Sequence, residues 1–313
     1  MKTRLGCCLL AIMAALVPPA ASQNFSGWSA PVNLGAPVNT VYEDADPFLT
    51  KDGMTLYFNC RCPDSLGGFD IYFSEWDTQK GEWGTPQHLP APLNSAYDES
   101  NATLTIDGHR LYFRSDRPGG FGGGDLYVVR RRDKRDNRGW GEPVNLGPGV
   151  NTSAGENSPF FLEDETTGVA SLYFASDRAG SLGDDDIYRA TLLPDETFGA
   201  VIHVLDLSST GADRHPNLRR DGLEVFFMSN RDGSIKNAKG GNSFDIWSAT
   251  RSSTLDPWGE PTNVTAINGP THDAHPSLSF DGATLYFFSA RPGNLSPVFD
   301  IWVARREKIK ADE

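Results

Sequence analysis

Five copies of one sequence unit make up this chain, and that repetition restricts the fold more than any other feature of its 313 residues. Each copy contains an apolar triplet, followed by an Asp that opens a second apolar run. Successive Asp residues of this kind are 55, 61, 59 and 55 positions apart. They are Asp70, Asp125, Asp186, Asp245 and Asp300. A regular period of this size is typical of architectures built by repeating one supersecondary unit.

Each unit contains the pattern of four short strands. The first two strands are joined by Asp-Gly, the strongest short hairpin signal, in every unit except the third. The turns are Asp52-Gly53, Asp107-Gly108, Asp221-Gly222 and Asp281-Gly282. Aromatic and β-branched residues dominate the runs, and no long helical periodicity is present. The sequence therefore predicts an all-β, five-bladed β-propeller with four-stranded antiparallel blades.

The two ends of the repeat array complement each other. The last unit stops after Trp302 without an outer strand of its own, whereas the segment from Trp28 to Leu34 matches the outer strand from Trp140 to Leu146. We expect the N-terminal strand to close the last blade, which removes unpaired sheet edges. This gives a signal peptide at 1–22, a propeller at 23–307 and a charged tail at 308–313.

The first residues have the features of a secretory signal. Lys2 and Arg4 precede an apolar stretch from Cys7 to Val17, and small residues favour cleavage near Ser22. A periplasmic or secreted protein is expected. The formal net charge of −13 argues against nucleic-acid binding, which needs a basic face. No later stretch is long enough to span a membrane, and a monomer is expected.

Two cysteines, Cys60 and Cys62, remain after the signal peptide. Export permits a disulfide between them, although a Cys-x-Cys ring is small and requires a turn. Free thiols are the second alternative. Metal or redox chemistry is the third, and a metal would need further ligands.

The motif set resembles the WD-like repeat of TolB-type β-propellers, which also occurs in the propellers of prolyl oligopeptidases. Asp273 to Trp302 contains the whole pattern: Asp-x-x-Pro, Asp-Gly, Leu-Tyr-Phe-x-Ser-x-Arg and x-x-Asp-Ile-Trp. The resemblance extends over residues 27–306. It implies a propeller fold, and it implies little about function because this repeat occurs in scaffolds, binders and enzymes.

An acidic residue opens the first strand of each unit. We align Asp44, Asp98, Glu156, Asp213 and Asp273 at this position. A residue that is repeated in every blade usually serves the fold. The Arg of Ser-x-Arg is its expected partner through the planar guanidinium, namely Arg117, Arg178, Arg231 and Arg291. Blade one has Cys62 instead of this Arg, which leaves Asp44 less tightly paired.

Two positions further on, the residue differs from blade to blade. We align Asp46, Ser100, Ser158, His215 and His275 there. Two imidazoles and a carboxylate from neighbouring blades suit a divalent metal ion, the only cofactor that the residues suggest. They also suit acid–base chemistry or ligand binding. The plain alternative is that both histidines cap strands and bind water.

We expect the functional face to be the one where the first strands begin. Further ligand-binding candidates flank these starts: Tyr42, Tyr97, Arg214 and His272. The catalytic candidates are Asp44, Asp46, Glu99, Glu156, His215 and His275. The basic run from Arg130 to Arg138 falls on the opposite face and reads as an exposed hairpin tip.

Two functional hypotheses follow. The first is an exported, TolB-like binding module that takes a protein, peptide or glycan at the channel mouth, because no complete catalytic motif is present. The alternative is a carbohydrate-active or metal-dependent hydrolase that uses the carboxylates and histidines of the channel mouth. Glycoside hydrolysis would need two carboxylates at a defined separation. The sequence favours a binding protein over an enzyme; an enzyme would be a glycoside hydrolase or a metal-dependent hydrolase.

Overall fold

A computed structural model describes residues 25–164 and 167–309 of the chain. They form five antiparallel sheets, which confirms the predicted five-bladed propeller. The predicted signal peptide lies outside the described residues. One short 3₁₀ helix, Leu205–Leu207, is the only helical segment in the described part of the chain, where no helix is long and apolar enough to cross a membrane.

Each blade runs from an inner strand at the channel to an outer strand at the rim. Blade one contains β2 (Asp44–Leu49), β3 (Thr55–Cys60), β4 (Asp70–Asp77), a side strand β5 (Glu82–Trp83) and β6 (Gln87–His88). Blade two contains β7 (Glu99–Leu104), β8 (Arg110–Ser115), β9 (Asp125–Arg130) and β10 (Val144–Asn145). Blade three contains β11 (Glu156–Glu163), β12 (Ala170–Ser176), β13 (Asp186–Thr191) and β14 (Ile202–His203).

The last two blades repeat this order. Blade four contains β15 (Asp213–Leu218), β16 (Glu224–Ser229), β17 (Asp245–Thr250) and β18 (Thr262–Asn263). Blade five contains β19 (Asp273–Leu278), β20 (Thr284–Ser289) and β21 (Asp300–Arg305), and its outer strand is β1 (Val32–Asn33) from the start of the chain.

The N-terminal strand closes the ring as predicted. Val32 pairs with Val303, and Asn33 pairs with Trp302. A further bridge joins Phe25 to Lys308, the first residue of the predicted charged tail. The first and last segments of the described chain are therefore held in one sheet.

The apolar triplet of each second strand is buried because the blades pack face to face. Tyr57 belongs to a buried cluster with Leu104 of blade two. Its neighbours Leu56 and Phe58 point the other way and share a cluster with Tyr286 of blade five. A strand covered on both faces reads as a continuous apolar run instead of an alternating one.

A ring of buried carboxylates lies where the first strands begin, and the structure corrects one of its members. The ring contains Asp44, Glu99, Glu156, Asp213 and Asp273, each with no exposed surface. Blade two contributes Glu99 instead of Asp98, because Glu99 pairs with Ser115 at the strand start. Each ring Asp lies eight positions before the Asp of its Asp-Gly turn, and in blade two this spacing also selects Glu99. The sequence alignment had instead chosen Asp98 because it is an aspartate.

Four of these carboxylates have the expected arginine partners. Arg117 donates to Glu99 over 3.0 Å, Arg178 to Glu156 over 3.1 Å and Arg231 to Asp213 over 2.6 Å. Arg291 contacts Asp273 in the same way. These ion pairs tie the start of the inner strand to the loop after the second strand, so this ring serves the fold.

Candidate functional site

Every inner strand carries a β-bulge next to the channel axis. In blade one, Ala45 pairs with Asn59 and Phe48 pairs with Tyr57, so that Asp46 and Pro47 together face one residue of β3. The same irregularity occurs in the other four blades. A bulge bends its strand and changes the direction of one side chain. Here it turns one residue of each blade towards the axis.

These five residues form what we call the axial ring. All have a left-handed backbone, with φ between 53° and 58°. They are Asp46, Asn101, Ser158, His215 and His275. Asn, Asp and His tolerate this conformation better than most residues, which partly explains the residue types. Asn101 occupies the position that the sequence alignment gave to Ser100, since the one-residue error at Asp98 carried over to this ring.

Three members of the axial ring offer metal-ligand atoms that converge. One ligand atom each from Asp46, His215 and His275 lies within 4.8 Å of the other two. The Asp46 carboxylate contacts Nδ1 of His275. The two imidazole rings are stacked, with centroids 3.2 Å apart and an angle of 24° between their planes. We call these three residues the axial cluster.

Two asparagines fix the orientation of the Asp46 carboxylate. Asn101 donates to its Oδ2 over 2.6 Å. Asn59 of β3 donates to the same oxygen. The other oxygen, Oδ1, faces His275. Ligands of a metal ion are commonly oriented by such outer hydrogen bonds. Sequence reasoning missed both asparagines, although the constant spacing to the Asp-Gly turns identifies Asn101.

Burial favours the neutral form of both histidines of the axial cluster. Burial lowers the pKa of His275 well below its usual value of 6.5. Burial also lowers the pKa of His215 well below 6.5, and the neighbouring Arg214 charge adds to this effect. A neutral imidazole has a lone pair to donate, so burial favours the protonation state that a metal ion requires.

The cluster borders a very small cavity on the axis. Its volume is about 30 Å³, and all five residues of the axial ring line it. A single water needs roughly 10–15 Å³ of such space, so one or two waters or one ion fit here and a sugar does not. Two imidazole nitrogens and a carboxylate oxygen suit zinc and related transition metals.

A much larger cavity opens on the face that carries the Asp-Gly turns. This turn-face cavity has a volume of about 510 Å³, within the range of ligand pockets. Phe48 and Phe160 line both cavities, so the larger one adjoins the axial cluster. The sequence had indicated the strand-start face as the functional one, whereas this cavity lies at the opposite end of the inner strands, next to their turns.

The walls of the turn-face cavity are apolar at depth and charged at the rim. Phe48, Leu104 and Phe160 come from the inner strands near the axis. Lys51 and Glu163 lie further out. The basic run from Arg130 to Arg138, which the sequence predicted as a hairpin tip on this face, also lies there. Three of its residues, Arg131, Lys134 and Arg135, line the cavity.

One rim carboxyl lies outside the repeat pattern. Glu163 is the last residue of β11 and directly precedes the loop that replaces the Asp-Gly turn in blade three. Burial raises its pKa, and the nearby charge of Asp107 raises it further. The repeated turn carboxylate Asp107 is held by Thr105 and by the backbone of His109.

The other candidate residues are distributed over two places. Ser158 lies in the axial ring and borders the small cavity. Tyr42 and Tyr97 are each 41% exposed on the strand-start face. Arg214 and His272 lie on the same face as these tyrosines, where Arg214 donates to Asp185 over 2.6 Å and His272 accepts the Phe244 amide over 3.2 Å. None of these four lines the axial cavity.

Three of the candidate catalytic carboxylates are buried in the fold. Asp44, Glu99 and Glu156 have no exposed surface. Glu99 accepts hydrogen bonds from Ser95, Ser115 and Arg117. Acid–base chemistry on a substrate requires direct contact with the reacting group or contact through one water. Asp46 therefore has the better position among the acidic candidates.

Comparisons with known proteins give a fold but no family. No family of known proteins and no curated protein matches the sequence. A thermostable family-43 glycoside hydrolase is similar in structure, with a TM-score of 0.57, 11% identity and coverage of 89% of this chain and 93% of that chain. An α-L-arabinofuranosidase from Podospora anserina in complex with cellotriose has a TM-score of 0.53, 12% identity and coverage of 90% and 97%.

The comparisons contradict our first functional hypothesis. We expected a TolB-like binding module, but the solved structures that resemble the chain are mainly glycoside hydrolases. A structure described as a putative TolB from Agrobacterium tumefaciens has a TM-score of only 0.49, with 14% identity and coverage of 86% and 91%. The propeller fold is therefore confirmed, and the resemblance to the TolB-type family is not.

Proposed function

We propose that the protein is a metal-dependent, carbohydrate-active hydrolase. In this proposal Asp46, His215 and His275 bind a divalent metal ion at the axis, and the substrate occupies the turn-face cavity beside it. The observation that carries the proposal is the convergence of three neutral or anionic ligand groups next to a cavity of ligand size.

The axial cluster suits a catalytic metal because it supplies only three protein ligands. Catalytic zinc sites usually have three such ligands and leave a position for water or substrate. A metal ion in such a site lowers the pKa of bound water and polarises the bond under attack. Hydrolysis by two carboxylates is less well supported, because the ring carboxylates Asp44, Glu99 and Glu156 are buried among their fold partners.

A carbohydrate suits the turn-face cavity because both have apolar and polar surfaces. The cavity offers the aromatic faces of Phe48 and Phe160 and, at its rim, the charged groups of Lys51 and Glu163. The structural likeness to an arabinofuranosidase bound to cellotriose gives the same indication at the level of the fold. Export of such an enzyme agrees with the signal peptide predicted from the sequence.

The test is a substrate screen before and after removal of metal. The full chain is treated with a chelator, reloaded with Zn²⁺ or Mn²⁺, and assayed on aryl glycosides, oligosaccharides and acetylated sugars. We expect turnover of a saccharide that falls at least about 100-fold without metal. No turnover by the loaded protein, or turnover that survives chelation, would overturn the proposal.

Two variants and a matched control test whether the axial histidines are required for the reaction. The substitutions His215→Asn and His275→Asn should be compatible with the left-handed backbone at these positions, because Asn101 has the same conformation in blade two. Both should abolish the metal-dependent turnover. His203→Asn is the control. His203 contacts Asp186 in blade three, away from the axis. The equivalent residues of blades two and four are already asparagines, Asn145 and Asn263, so the substitution should be tolerated. It should retain activity.

A further inference from the structure

Blade one departs from the other blades at its buried carboxylate. In the other four blades, the residue opposite the ring carboxylate is a serine, and an arginine follows two positions later. In blade one, Cys60 pairs with Asp44 in the serine position, and Cys62 occupies the arginine position. The two cysteines form a disulfide.

This exchange leaves Asp44 with fewer partners than its counterparts. Thr40 donates to its Oδ2 through the backbone N–H over 2.6 Å and through Oγ1 over 2.9 Å. Its Oδ1 is buried and has no hydrogen-bond partner among the described residues. An unpartnered buried carboxylate oxygen costs free energy, and four of the five ring positions avoid this cost.

A carboxylate oxygen of Asp44 and the two sulfur atoms lie together. The ligand atoms of Asp44, Cys60 and Cys62 are all within 4.8 Å of one another. Thiolates are soft ligands that select Zn²⁺ and similar ions, and a carboxylate completes such a set. While the disulfide is intact, the sulfur atoms are not available as thiolates.

The backbone would keep this group together after reduction. Cys60 lies in β3, between β2 and β4, and pairs with both Asp44 and Asp70. Its side chain is fully buried, whereas Cys62 is partly exposed at the start of the following loop. Cys62 is therefore the more accessible of the two residues to a reductant.

We propose that reduction of the Cys60–Cys62 disulfide opens a second cation site in blade one, where two thiolates and the Asp44 carboxylate bind a soft divalent metal ion. The reductant is a dithiol or a phosphine. A dithiol transfers two electrons and two protons and leaves as its own disulfide. A phosphine supplies the two electrons, one water supplies the oxygen and the two protons, and the phosphine leaves as its oxide. In either case the sulfur–sulfur bond breaks and two thiols form. Binding of the ion then displaces one proton from each thiol.

The test uses Cd²⁺ as the probe, because cadmium bound to thiolates absorbs in the ultraviolet. The parent chain carries His215→Asn and His275→Asn, which removes the axial cluster from the measurement. After reduction with a phosphine and desalting, this parent should bind one Cd²⁺ per chain and develop the thiolate absorption. The oxidised parent should do neither.

Two variants separate a site from adventitious thiol binding. Cys60→Ser with Cys62→Arg copies the pattern of the other four blades and should bind no Cd²⁺ under either condition. Asp44→Asn should weaken binding by the reduced chain by at least about tenfold, since even outer partners of metal ligands contribute 10- to 100-fold.

Three outcomes would overturn the inference: no Cd²⁺ uptake on reduction, unchanged affinity in Asp44→Asn, or loss of the sheet signal in circular dichroism when the disulfide is reduced. Each is independent of the proposed hydrolase, because the axial cluster is absent from the parent chain.

Discussion

At the channel axis, the repeat determines the position of a side chain and the sequence of each blade determines its chemistry. The bulge occurs in all five inner strands, so that the proximity of the axial residues follows from propeller symmetry alone. Their identities do not follow from symmetry: blade two has Asn101, blade three Ser158, and blades four and five have histidine. Only this choice of residues brings two imidazoles and a carboxylate together at the axis.

In the buried carboxylate ring, too, the repeat determines the position of the side chain and the individual blade determines its chemistry. Asp44 is the member without an arginine, and burial raises its pKa to about 7. The folded chain therefore holds the proton of Asp44 up to near-neutral pH, whereas the unfolded chain releases it near 3.8. Between these values, rising pH lowers the stability of the folded protein; above about 7 the loss is complete.

Asp44→Asn should remove this pH-dependent loss. The difference in the free energy of unfolding, variant minus wild type, should be larger at pH 8 than at pH 5. The expected increase is on the order of 1–3 kcal/mol, since one pKa unit corresponds to about 1.4 kcal/mol. Urea denaturation at the two pH values measures the difference. Asp213→Asn is the control, because it leaves Arg231 without its carboxylate and should destabilise the protein at both. An equal effect of Asp44→Asn at both pH values would contradict the account.

At the scale of the strand, ring closure depends on the N-terminal segment. Trp28 packs edge-on against Phe226 of blade four, with ring centroids 5.7 Å apart. The Arg306 guanidinium lies 3.9 Å from the Phe25 ring and pairs with the buried Glu224. Asn33 donates to Asp300 over 2.9 Å. The segment thus supplies both an outer strand and a contact between blades four and five.

Removal of residues 25–34 should therefore destabilise the whole ring. The truncated chain would expose the edge of β21 and the apolar contacts of Trp28, and an open sheet edge favours association. We expect a lower melting temperature and a tendency to aggregate, measured by calorimetry and light scattering. Addition of the free 25–34 peptide should restore part of the stability. Unchanged melting of the truncated chain would show that closure is not required.

At the scale of the whole molecule, the sequence predicts the architecture well and the site in part. Five units, their turns and the closing strand are all encoded locally, by Asp-Gly pairs, apolar triplets and the Trp28 segment. Asp46, His215 and His275 are found from the same alignment, because their blades share one spacing to the turn. Blade two is misaligned by one residue since Asp98 resembles the ring carboxylates more closely than Glu99 does.

The location of the larger cavity cannot be read from the sequence. Residues of all five blades line it, so its position is a property of the closed ring and not of any one segment. For this reason Phe48, Phe160 and the basic residues Arg131 and Lys134 do not stand out in the repeat alignment. They acquire a common location only when the ring is closed.

The proposed hydrolase requires a metal ion at the axis between blades one, four and five. Anomalous scattering from crystals of the protein loaded with Zn²⁺ would locate this ion. We expect one strong peak at about 2.0–2.2 Å from the ligand atoms of Asp46, His215 and His275, and no such peak in His215→Asn crystals. Loaded wild-type crystals without a peak at the axis would show that these three residues do not form a metal site.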